Sequence, residues 1–133
     1  MPPITRWFVR TSLVYLAAGM ATGILLTIKV PLGGLFPVYL HLLVFGWLTQ
    51  LIMGIALWMF PKYSSALPRG NESLSWGAYI LLNAGLILRM IGEPLQSQTP
   101  GTVAGTLLVI SALLQWLAGS AFIWNVWTRV KVK

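Results

Sequence analysis

The sequence predicts an all-α integral membrane protein, a four-helix bundle in one transmembrane domain. Three observations carry this. Only 8% of the 133 residues are charged, whereas 57% are hydrophobic; soluble domains carry about 25% charged residues. Mean hydropathy is +0.80. Four apolar stretches of spanning length, separated by short polar or Pro/Gly-rich connections, account for the whole chain.

The first helix is expected at about residues 7–28, flanked by Arg6 and Arg10. Its apolar run is longer than a signal-peptide core, and Lys29-Val30-Pro31 is no small-residue cleavage site, so it reads as a retained span. It holds a GxxxG pair, Gly19 and Gly23, which lets a second backbone come close. Pro31, Gly33, Gly34 and Pro37 make the first loop, and Pro37 can open the second helix, 38–60. That helix carries the only histidine, His41, near its start. Gly46, Gln50 and Gly54 follow at intervals of four and form one stripe, read as a helix contact with Gln50 as polar glue.

After a polar connection with Ser73 as its expected N-cap, the third helix spans 74–91 and breaks at Gly92-Glu93-Pro94. Residues 95–100 are a loop, and the fourth helix covers 101–127, opening with a second GxxxG at Gly101 and Gly105. Asn83 and Gln115 are read as further polar glue.

Seven of the nine basic residues, Arg6, Arg10, Lys62, Arg69, Arg129, Lys131 and Lys133, then fall on one side, and Lys29 and Arg89 toward the other. The positive-inside rule places both termini in the cytoplasm, in a bacterial or archaeal cytoplasmic membrane. Trp7, Trp58, Trp76, Trp124 and Trp127 gather at the same face, as an interfacial belt. The net charge of +7 is read as orientation and contact with anionic membrane lipid, not nucleic acid.

Few side chains can carry chemistry. There are no cysteines, which removes thiolate metal sites, iron–sulfur clusters and covalent haem attachment. The only acids, Glu72 and Glu93, lie near loops, so no carboxylate sits mid-membrane to couple protons. His41 and Arg89 each fall about one turn inside the outer end of their helices, at matched depth. A neutral imidazole ligates haem iron and an arginine fork binds a propionate. The plain alternatives are a histidine bonded to a neighbouring helix and an arginine that snorkels or pairs with Glu93.

The run His41-Leu-Leu-Val-Phe-Gly46-Trp47, then Met53-Gly54 and Met59-Phe60-Pro61-Lys62, resembles small membrane proteins related to subunit I of haem–copper oxidases, including nitric-oxide-reductase-like forms. Asn83-Ala-Gly85-Leu-Ile-Leu-Arg89 resembles the same group, and together the likeness covers about half the chain. His41 matches the second histidine of an H-x-H pattern whose first is Tyr39 here. The resemblance implies a b-type haem on His41, with Arg89 beside it, serving electron transfer or small-gas sensing. It implies no copper site, because copper takes three more histidines, and no complete catalytic site for oxygen reduction in this chain alone. A bis-histidine haem needs a second His41, hence a homodimer, or a ligand from another subunit. The alternative expectation is a haem-free structural or assembly subunit of a respiratory complex.

Overall fold

The computed structural model describes residues 1–130; Lys131 and Lys133 lie outside the described residues. Among the described residues there are four long helices, each apolar enough to cross a membrane: α1 (Pro3–Thr27), α2 (Leu35–Met59), α3 (Glu72–Gln98) and α4 (Thr102–Trp127). The protein is an all-α four-helix membrane bundle in up-down order.

Helix α1 starts four residues earlier than expected. Pro2 holds an extended conformation at the N-cap and Pro3 sits in the first turn, where its missing N–H costs nothing. The helix ends at Thr27, and Lys29, two residues beyond it, adopts a positive φ of 54°. The connection to α2 is short because Gly34 turns the chain at φ 77°. A side chain at Gly34 would collide with the backbone of Glu93 and Pro94, so this loop lies directly on α3.

That contact corrects the expected end of α3. Its helix does not break at Gly92-Glu93-Pro94 but continues to Gln98, with Pro94 inside. Proline there forfeits one intrahelical hydrogen bond, but the loop packed across Glu93 and Pro94 holds the last turns in place. The expected loop 95–100 shrinks accordingly. The N-cap also moves: Asn71, not Ser73, caps α3, its side chain accepting from the Ser73 N–H at 2.9 Å.

Helix α2 is π-helical from Leu42 to Thr49, between α-helical segments Leu35–His41 and Gln50–Met59. Its small residues face α1. A Cβ at Gly46 would lie 2.7 Å from Tyr15, and one at Gly54 would lie 2.5 Å from Phe8. In return, Gly19 of α1 packs on Leu42 and Leu43, and Gly23 on Tyr39. Two glycine pairs on facing helices therefore bring α1 and α2 together. Gln50 lies within this contact, fully buried, yet neither amide atom has a hydrogen-bond partner. The expected polar glue is thus a buried amide with no hydrogen-bond partner among the described residues. The second GxxxG behaves differently: a Cβ at Gly101 or Gly105 would meet no atom within 4 Å among the described residues.

Helices α3 and α4 form the closest pair. The buried residues of α4 include Ala104, Ser111, Ala118 and Asn125, a seven-residue repeat of small or polar side chains. Facing it, Ser75, Ala78, Leu82, Gly85 and Gly92 of α3 follow alternating steps of three and four, apart from one larger step. Small residues let the backbones approach until the Ser111 hydroxyl donates to the Gly85 carbonyl at 2.6 Å. Gln115 donates to that same hydroxyl at 3.1 Å. Asn83 instead donates to the Tyr79 carbonyl of its own helix, so it does not join two helices through that bond. Tyr79 ties α3 to α1, through a 2.7 Å hydrogen bond with Thr11 and an edge contact with Phe8.

The end of the bundle that holds the start of α1 and the end of α4 is locked by polar groups. Asn125 accepts from the Asn71 N–H and donates to Ser75, which pins the start of α3 to α4. Arg129 is 1% exposed. Its guanidinium donates to the carbonyls of Leu57 and Phe60 at 3.0 and 2.9 Å, and to that of Pro61 at 3.0 Å. These are orphan carbonyls at the C-terminus of α2, where a cation is favoured by the helix dipole. Burial, and after it the like charge of Arg69, lowers the pKa of Arg129. Arg129 is therefore more than an orienting surface charge: it caps another helix.

Candidate functional site

His41 is the last residue of the first α-helical segment of α2, immediately before the π-helical stretch. π-Helical insertions often accompany functional sites because they re-aim neighbouring side chains. The His41 ring nitrogen Nδ1 lies 2.8 Å from the Pro37 carbonyl oxygen. A carbonyl only accepts, so Nδ1 carries the proton, and in the neutral ring Nε2 keeps its lone pair. Phe45, one turn on, stacks against the imidazole with centroids 5.5 Å apart. The ring is thus fixed on two sides, by a hydrogen bond to the turn before and an aromatic face from the turn after.

His41 lines a shallow groove of about 320 Å³ with Phe45, Arg89, Ala112, Gln115 and Trp116. Three helices meet there. The groove brings together His41 and Arg89, although not for the expected reason of matched terminal depth. With α3 running on to Gln98, Arg89 stands about 13 Å from its helix end, whereas His41 stands about 9 Å from the start of α2. The helices are offset, so residues at different distances from their termini share one level.

Arg89 pairs with Glu93 at 2.9 Å, one turn along α3, and each side chain is 16% exposed. The longer helix makes this i, i+4 pair possible. Arg89 Nη1 makes this bond, while its buried Nε has no partner. The pair cancels local charge but leaves one buried nitrogen, Nε, without a partner among the described residues.

Phe45, Ala112, Gln115 and Trp116 join the site only in the structure; the sequence pattern does not mark them for it. Phe45 was within reach of sequence reasoning, since it lies four residues after His41. The α4 residues were not, because their approach depends on how α4 seats on α3. Gly46, Gln50, Gly54, Gly19 and Gly23 lie elsewhere, at the α1–α2 contact. Among the described residues no three of His, Cys, Asp and Glu converge to hold a metal ion. The groove is lined by one imidazole, that of His41, and one guanidinium, that of Arg89. Its volume is at the lower end for a cofactor pocket.

No family model, curated protein or solved structure matches the chain.

Proposed function

We propose that the chain is a haem b-binding integral membrane protein in electron transfer or small-gas handling, with His41 as iron ligand. One observation carries the reading: the Nδ1–H bond to the Pro37 carbonyl leaves Nε2 free at a groove shared with Arg89. Histidine ligands to metals are commonly oriented by such a bond from the other ring nitrogen. The likeness of residues 41–62 to haem–copper oxidase subunit I supports the same reading. A bound haem would supply one-electron redox chemistry or an iron site for a gas.

The chain's own residues then have defined tasks. The Pro37 carbonyl holds the imidazole tautomer, and Phe45 holds the ring plane. Arg89 brings a guanidinium to the groove for a carboxylate. The groove is shallow, so a second chain would complete it, either another copy or a subunit of a respiratory complex. Both termini face the cytoplasm, since most cations lie at that end.

The test is a haem titration of purified protein. The native chain should develop a Soret band with reducible α and β bands. His41→Ala should abolish the low-spin spectrum, and Arg89→Leu should weaken retention while keeping the ligation signature. Rapid carbon monoxide binding to the reduced form would mark a five-coordinate iron; resistance would mark a bis-histidine dimer. Unchanged haem retention in His41→Ala refutes the assignment. One observation favours a second reading: Glu93 already neutralises Arg89 and would repel a propionate. A haem-free structural or assembly subunit would show no Soret band at any haem concentration.

A further inference from the structure

A second cavity lies far from His41, at the opposite end of α2. It measures about 740 Å³ and lies at the end of the bundle that Arg129 closes. The α2–α3 connection, the start of α3 and the last turns of α4 border it, and it is open on one side. Leu67, Leu74, Ile123 and Trp124 give it an apolar wall, while Tyr63 and Thr128 add hydroxyls. Trp124 and Trp127, 78% and 74% exposed, belong to its lining and to the aromatic belt. Such tryptophans sit at headgroup level, one side in hydrocarbon and the other in water.

Cations flank this cavity in the chain. Lys62 precedes Tyr63 and Arg69 precedes Gly70, while Arg129, buried and committed to the end of α2, offers no free donor to a ligand. The only acid nearby is Glu72, whose contact with Arg69 is loose at 4.0 Å, with side chains 38% and 64% exposed for Arg69 and Glu72. An exposed pair of this kind is weak and readily exchanged for a better anion. Apolar wall, hydroxyl rim and surplus positive charge at headgroup depth match an amphiphile with an anionic head.

We infer that this cavity binds one anionic phospholipid, its acyl chain along Leu74 and Ile123 and its phosphate near Lys62 and Arg69. Binding is tested on protein in nonionic detergent, titrated separately with phosphatidylglycerol and phosphatidylcholine of equal chain length. Native mass spectrometry counts the lipids retained. One phosphatidylglycerol per chain is expected, held more tightly than phosphatidylcholine, and Lys62→Gln or Arg69→Gln should each weaken it about fivefold. Ser120→Phe should fill the cavity and remove the single bound lipid. Should that variant lose its helical circular dichroism, Leu67→Trp fills the cavity from the exposed connection instead. Soluble glycerol phosphate should not bind, because the apolar wall needs a chain. Equal retention of both lipids overturns the inference, as does unchanged one-lipid binding in a folded, filled variant. Binding of glycerol phosphate alone also overturns it and marks a simple anion site.

Discussion

Replacing Arg129 with methionine isolates what the guanidinium contributes to the bundle. Methionine keeps much of the length and loses the charge and every donor. Three hydrogen bonds of 2.9 to 3.0 Å disappear, along with a longer contact of 3.4 Å to the Arg69 carbonyl. A hydrogen bond from a charged donor contributes about 1.5–3 kcal/mol. Against this stands the desolvation of a guanidinium that is 1% exposed, a penalty of several kcal/mol. The deciding factor is what the substitution leaves behind. The carbonyls of Leu57, Phe60 and Pro61 lose their partner, and a dry unsatisfied carbonyl costs about 1–3 kcal/mol. Water at the membrane face recovers part of that, so the net loss is about 3 kcal/mol. For a chain of this size it lowers Tm by about 10 °C. Arg129→Lys keeps a cation but not the planar fork, and should fall about midway. Thermal unfolding in detergent, followed by tryptophan fluorescence, measures both. A shift below about 2 °C for Arg129→Met would show that water satisfies these carbonyls equally well.

Other expectations follow from the same contacts. Gly54→Leu drives a side chain into Phe8 and should destabilise by at least 1–3 kcal/mol, roughly the cost of overpacking, whereas Gly105→Leu meets nothing and should leave monomer stability unchanged; equal Tm values refute this. Gln50→Met removes a buried amide without partners and should raise Tm, so a fall would reveal a partner for the amide. Ser111→Ala removes the mid-helix α3–α4 hydrogen bond to the Gly85 carbonyl and should cost about 0.6–1.7 kcal/mol, read as a small drop in Tm. Reporter fusions at the chain's end and between α3 and α4 should give opposite signals, and equal signals would exclude four spans.

The four spans were legible because hydropathy needs no tertiary information. Helix ends were less so. Glu93-Pro94 looks like a break in any local reading, and only the loop at Gly34, about sixty residues earlier, shows why the helix continues. The glycine stripe at Gly46 and Gly54 could be seen in the spacing, because close approach requires the missing Cβ. Gln50 could not be resolved, since a buried amide reads identically whether or not it finds a partner. The repeat at Ala104, Ser111, Ala118 and Asn125 was present in the sequence but hidden, since small residues produce no hydrophobic contrast in an apolar helix. The site divides the same way. His41 stood out by being alone, while Gln115 and Trp116 join it only through the seating of α4.

The cap on α2 also imposes an order in time. Leu57 leaves the ribosome 72 residues before Arg129 does. At about 5–20 residues per second, that interval lasts about 4–14 s. Throughout it the end of α2 must keep its carbonyls in contact with water, so the hairpin of α1 and α2 stays provisional. Only when α4 has threaded the membrane and delivered Arg129 can that end of the bundle become dry. The last helix therefore serves as a completion check on the first two: a chain stalled before residue 129 carries an open helix end at the membrane surface.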